Sequence, residues 1–219
     1  MTGLLSAWQD SIPVIFISGQ ARSNHTSYGK KVRQVGTQEV NICDIVKPIT
    51  KKSVFIKNPK NFGKELQKAI EIANTGRKGP VWIDLPLEYQ WGDVNSKLSI
   101  NRKKLNRRFN YKNIQKFKEL FSNSKNPVAI LGYGLRSSKD GLNEFKKFQK
   151  KTNIPFVTTW NAKDFYETDN VYNLGTIGMS GQRGANKAIF NSDLLVCLGT
   201  HLSIPHTTTL YDSYAPKAK

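Results

Sequence analysis

The run Pro127-Val-Ala-Ile-Leu131, closed by Gly132-Tyr133-Gly134, decides the fold. An uncharged, continuously apolar stretch of this length, stopped by glycine, fits a strand buried on both faces of its sheet. Working outward, the same pattern recurs. Upstream, Ile114, Phe117, Leu120 and Phe121 make a helical stripe. Downstream, Leu142, Phe145 and Phe148 mark another helix, and Ile154-Pro-Phe-Val-Thr-Thr159 the next strand. A short helix from Gln182 to Phe190 then leads into the strand Asp193-Leu-Leu-Val-Cys-Leu198, which closes at Gly199. Strands ending at Gly132, Thr159 and Gly199 would share one edge of a parallel sheet, and the carboxyl edge is where open α/β folds hold ligands.

The first half repeats the logic. Pro13-Val-Ile-Phe-Ile-Ser18 reads as a buried strand ending at Gly19-Gln20. The stretch from Ala21 to Lys31 is too rich in Ser, Asn, Gly and Lys for a core element. A short apolar piece (Ile42 to Val46) and a possible strand at Ser53 to Ile56 follow. Asn58-Pro-Lys-Asn61 is turn chemistry, with Asn61 placed to cap the next helix. Phe62, Leu66, Ala69, Ile70 and Ala73 form that helix's apolar stripe. Asn74-Thr75-Gly76 ends it, and Gly79-Pro80 opens the strand Val81-Trp-Ile-Asp-Leu85. Strand, helix, strand is an α/β unit with a parallel sheet. The expected architecture is α/β: two parallel-sheet, three-layer domains, residues 1–92 and 113–219, joined by a basic linker at 93–112. Neither domain reads as complete, because Met1 enters an apolar-periodic segment without a cap and Lys219 follows a loop.

Charge and cysteine content exclude several classes. The 219 residues hold 34 Lys and Arg against 16 Asp and Glu, a net charge of +18. Of that excess, residues 93–152 contribute 12, from 16 basic and 4 acidic side chains. Clustered bases could neutralise phosphates. Yet Lys outnumbers Arg 26 to 8 and there are 19 Asn, the mark of an AT-rich genome on solvated faces. No RNA-binding aromatic signature accompanies the charge, so nucleic acid is not the expected partner. The longest uncharged apolar run, Ile12 to Ser18, is too short to span a membrane, and no secretory signal opens the chain. Cys43 and Cys197 lie far apart and suggest neither zinc nor a disulfide framework. A cytoplasmic location is expected.

Local motifs do not name a reaction. Gly132-Tyr-Gly134 resembles the opening of a dinucleotide loop, but Ser137 stands at the third glycine position. Gln38-Glu39 could hold a polar ligand or cap the following helix. Asp84 could orient a ligand or cap the turn to Pro86. His25, His201 and His206 have no metal-ligand spacing and read as solvated.

The ordered set of segments does carry a resemblance. Leu4 to Gln20, Gln34-Val-Gly-Thr-Gln38-Glu39 with Asp44 to Lys51 (a Pro48-Ile-Thr-Lys51 segment), and Thr75-Gly-Arg77-Lys-Gly-Pro-Val-Trp-Ile-Asp84-Leu-Pro86 resemble the pyrimidine-binding domain of thiamine-diphosphate enzymes, the acetolactate synthase branch above all. Gly132-Tyr-Gly134, Thr158-Thr-Trp-Asn-Ala162, Gly178-Met-Ser-Gly181 and Asn191 to Gly199 resemble that family's central domain. The resemblance implies a 2-keto-acid carboligase or decarboxylase, with thiamine diphosphate supplying the chemistry and Mg2+ holding its diphosphate. Both would be bound mostly outside this chain, as would the family's activating glutamate, so the chain alone should be inactive. Gln38 matches a glutamine that positions the second substrate at the thiazolium. Arg77, Gly132, Gly134, Thr158, Thr159, Gly178, Met179 and Gly199 match positions around a flavin groove. The family's F-D-D-R is Leu202-Ser-Ile-Pro205 here, which weighs against FAD. Thr37, where the family has phenylalanine, and a longer loop from Ala21 to Val35 resemble a sub-branch of surface-sugar biosynthesis. The intact enzyme would be a homodimer or homotetramer. The alternatives are a related thiamine decarboxylase or lyase, and a non-catalytic nucleotide-binding or scaffold protein.

Overall fold

A computed structural model describes residues 1–91, 110–138 and 140–219. The chain divides into two compact units, Met1–Arg107 and Arg108–Lys219. Most of the segment read as a linker, residues 93–109, lies outside the described residues. Its end does not: Tyr111 and Lys112 open a helix.

In the first unit, helix α1 (Thr2–Gln9) leads to strand β1 (Ile15–Gln20), helix α2 (Ile42–Val46), strand β2 (Lys52–Phe55), helix α3 (Phe62–Asn74) and strand β3 (Val81–Pro86). The three strands are parallel in the order β1-β3-β2, with Ile15 opposite Val81 and Ser18 opposite Asp84. Strand periodicity sends alternate side chains to opposite faces. Ile15, Val54, Val81 and Ile83 meet Leu66, Ala69 and Ala73 of α3 on one face. On the other, Phe16 stacks on Trp82 at 5.4 Å, and the Ser18, Gln20 and Asp84 side chains form one hydrogen-bonded cluster.

Two details differ from the sequence reading. Asn58, rather than Asn61, does the capping: its side chain accepts from Lys60 N, while Asn61 makes no side-chain cap bond. The proline after Asn58 starts a 3-10 turn there, so the cap belongs to that turn. The Ala21–Lys31 stretch also contributes to packing. Thr26 is buried, and the Tyr28 ring stacks on Phe55 at 4.2 Å.

In the second unit, α4 (Tyr111–Asn123) precedes β4 (Pro127–Leu131), α5 (Gly134–Ser137), α6 (Gly141–Thr152), β5 (Phe156–Thr158), β6 (Asn173–Thr176), α7 (Arg183–Asn191), β7 (Leu194–Leu198), α8 (Ile204–Thr207) and α9 (Tyr211–Tyr214). Its four strands are parallel in the order β6-β5-β4-β7. Ala129, Leu131, Phe156 and Val196 pack against Phe117 and Phe121 of α4 and Phe145 and Phe148 of α6. Val128, Ile130, Val157 and Leu195 point the opposite way, to Ala185 and Ile189 of α7. Two apolar faces on one sheet, each covered by helices, make the three layers expected. Strand β6 has no counterpart in the sequence reading.

Candidate functional site

Parallel strands place all their carboxyl ends on one edge, and in the second unit the loops leaving that edge interlock. Gly132 N donates to Leu198 O at 2.8 Å and Gly134 N to Gly199 O at 2.9 Å, so the loop after β4 crosses the loop after β7 backbone to backbone. A Cβ on Gly132 would collide with Gly199 O, and one on Gly199 would collide with Leu135 N. Gly199 also takes φ +65°, a left-handed value that L side chains rarely adopt. The bare side of the Gly-x-Gly loop is therefore filled by protein backbone.

Strand β5 adds two neighbouring threonines at the same edge. Thr158 Oγ1 lies 3.3 Å from Thr176 Oγ1, and Thr159 N donates to Leu131 O at 2.9 Å. Beyond β6, Gly178 (φ +107°) is framed by Asn186, whose side chain accepts from Gly178 N at 2.9 Å and donates to Gly178 O at 3.0 Å. Met179 N donates to Pro205 O at 2.9 Å, leaving its side chain 72% exposed. Trp160 packs edge-on against His206 with centroids 5.4 Å apart. His206 is thus not a solvated histidine. Its Nδ1 pairs with Ser203 Oγ at 2.9 Å, while Nε2 is buried without a partner among the described residues. Burial, with His201 nearby, pushes its pKa down.

The structure therefore gathers Gly132, Gly134, Thr158, Thr159, Gly178, Met179 and Gly199 at one sheet edge. Gln38 and Arg77 belong to the first unit. Arg77 is exposed at the turn before β3, its Nε donating to Ser11 Oγ at 2.8 Å. Gln38 is exposed on the loop between β1 and α2, in a left-handed backbone with φ +62°. Its neighbour Glu39 neither caps α2 nor faces solvent. Asn41 caps that helix, accepting from Asp44 N at 3.2 Å. The Glu39 carboxylate is folded inward, taking Ser27 N at 3.2 Å, Ser27 Oγ at 3.2 Å and Val35 N at 3.0 Å. Burial opposes its charge, but these donors outweigh it and hold the carboxyl below its ordinary range.

Asp84 has a role the sequence did not disclose. It is wholly buried and accepts from Ser18 Oγ at 2.6 Å and Gln20 Nε2 at 2.9 Å. Trp82 Nε1 completes the chain by donating to Ser18 Oγ at 2.8 Å. Burial raises the Asp84 pKa despite hydrogen bonds that favour the charge. The sequence signal was present: an Asp inside an apolar strand needs donors from the adjacent strand, and Ser18 and Gln20 sit two residues apart on β1.

The chain thus holds two parallel-sheet α/β units, the second with glycine-crossed loops at the carboxyl edge of its sheet. Residues 114–219 match the family model described as thiamine pyrophosphate enzyme, central domain. Over its full length the chain is 31% identical to a probable acetolactate synthase large subunit of Methanocaldococcus jannaschii, covering 37% of that protein. It is likewise 30% identical to an acetolactate synthase of Mycobacterium bovis, covering 35%, and 27% identical to the mitochondrial acetolactate synthase catalytic subunit of Saccharomyces cerevisiae, covering 32%. Residues 114–219 thus belong to the thiamine pyrophosphate enzyme family as its central domain, the chain is similar along its length to acetolactate synthase large subunits, and it spans about a third of the length of these relatives. No helix among the described residues is long and apolar enough to cross a membrane.

Proposed function

We propose that this chain forms part of a thiamine-diphosphate-dependent enzyme that joins or decarboxylates 2-keto acids, with acetolactate formation as the leading reaction. The observation that carries the reading is similarity to acetolactate synthases along all of the chain, across both units. Thiamine diphosphate, when bound, supplies the nucleophilic carbon and the electron sink. Among the described residues no cluster of three or more His, Cys, Asp and Glu is placed to hold a metal ion. The Mg2+ and the diphosphate it binds are, in this reading, held by parts of the enzyme outside this chain. In this reading the chain's own contribution is Gln38, an exposed amide with two donors and an acceptor that orients the second keto acid.

The test is to express the complete reading frame containing this chain and supply thiamine diphosphate, Mg2+ and pyruvate. Acetolactate should form, and Gln38→Ala should lower carboligation at least tenfold while release of CO2 persists. Acetaldehyde as the main product would instead assign a decarboxylase. No turnover with any 2-keto acid would leave the scaffold reading standing. The 219-residue chain alone is expected to produce no acetolactate.

A further inference from the structure

The loop between β1 and α2 has both ends fastened to one side chain. Gln20, the last residue of β1, is 9% exposed. Its Oε1 accepts from Ala21 N at 2.9 Å, at the start of the loop. Its Nε2 donates to Val40 O at 2.7 Å, at the loop's end, and to Asp84 Oδ2 at 2.9 Å in the core. A primary amide has two N–H groups, and here one goes to the loop and one to the sheet. A carboxylate only accepts, so Asp84 dictates which end of the Gln20 amide faces it. That choice delivers the second N–H to Val40. Ser18 in turn pins the other Asp84 oxygen. Inside the loop, Glu39 draws Ser27 and Val35 together, and Tyr28 Oη accepts from Cys43 N at 3.2 Å. Gln38, two residues before the fastened carbonyl, is held between these ties at φ +62°.

We propose that Asp84 and Gln20 are positioning residues, a clamp that holds the 21–40 loop on the carboxyl edge of the first sheet and sets the presentation of Gln38. The proposal rests on the reading above for what Gln38 does, but its test sees no cofactor. The loop carries exposed tryptic sites at Lys30, Lys31 and Arg33, and α3 carries Lys64 and Lys68 as controls for the fold. Gln20→Leu in the full chain should raise the initial cleavage rate in the loop at least tenfold and leave the α3 sites unchanged. Should Gln20→Leu fail to fold, the near-isosteric Gln20→Glu takes its place. The reciprocal pair Asp84→Asn with Gln20→Glu separates the clamp from general stability. In that double variant the new core amide can donate to the new carboxylate on β1, which restores the core contact, but no N–H remains for Val40 O. The melting midpoint should recover relative to either single variant while the loop stays cleavable. Wild-type protection in Gln20→Leu, or protection restored in the reciprocal pair, overturns the clamp. A loop that opens as expected beside a Gln38→Ala enzyme with full carboligation would retain the clamp and remove the role of Gln38.

Discussion

Asp84 is a carboxylate at 0% exposure with no salt bridge to a basic side chain among the described residues. Desolvation of such a group costs several kcal/mol unless donors compensate, and here the donors compensate incompletely, since its pKa stays raised by burial. The consequence for stability has a definite sign. A carboxyl whose native pKa exceeds its unfolded value binds its proton more tightly in the folded state. Its favourable contribution is complete below the unfolded pKa, about 3.9, and is lost as pH rises through the native pKa. Comparing wild type with Asp84→Asn cancels the titration of every other group. The wild-type advantage in urea unfolding should shrink as pH rises from about 4 toward neutrality. A difference that is flat or grows with pH would contradict the burial account.

Among elements, α3 shows how a residue of the family-like segment acts structurally. Its last turn leaves carbonyls without intrahelical partners, and Lys51 Nζ donates to both Ile72 O and Thr75 O. A cation there also opposes the negative end of the helix dipole. Burial lowers the Lys51 pKa, the mark of an ammonium drawn into the fold. Lys51→Met keeps the aliphatic stem and removes the donors, and should cost about 1–2 kcal/mol in urea unfolding. A loss below about 0.3 kcal/mol would mean that water replaces the ammonium without penalty.

This pairing also marks the boundary of what could be read from sequence. Apolar runs stopped by glycine located β1, β4 and β7, and a run opened by Gly79-Pro80 located β3, because burial on both faces leaves a local composition signal. Strand β6, Asn-Leu-Gly-Thr, has none: it is fixed by pairing with β5 and by the Gln182 side chain reaching Thr176 N. Likewise Gly132 was legible as a loop end, whereas Gly199 as the atom-level reason for it was not. The 21–40 loop has no period at all, since Gln20, Glu39 and Asp84 organise it over as many as 64 residues of sequence. Long-range polar contacts of this kind leave no spacing to read.

At the scale of the whole molecule, each unit has an apolar core of its own. The first sheet leaves β1 as an outer strand among the described residues, with Ile17 54% exposed on it. Leu5, Trp8 and Ile12 are exposed in the same unit. An open strand edge flanked by apolar side chains invites pairing with another chain. Concentrated solutions of the 219-residue chain should therefore self-associate despite a net charge of +18. Ile17→Lys should suppress this in sedimentation velocity, with a stability change within about 0.5 kcal/mol. Unaltered association in that variant would place the contact elsewhere.

The crossed loops after β4 and β7 have a consequence for anyone exchanging segments between relatives. Gly132 is barred from a side chain by the Gly199 carbonyl, and Gly199 is barred by the Gly134–Leu135 backbone. Neither loop has room to accept a bulkier counterpart while the other keeps its path. Residues 132–135 and 199–200, more than sixty positions apart, thus constitute a single transplantable unit. A chimera that brings in a residue with a side chain at either glycine, while the other loop keeps its path, inherits a collision between that Cβ and the opposite main chain, which only glycine relieves.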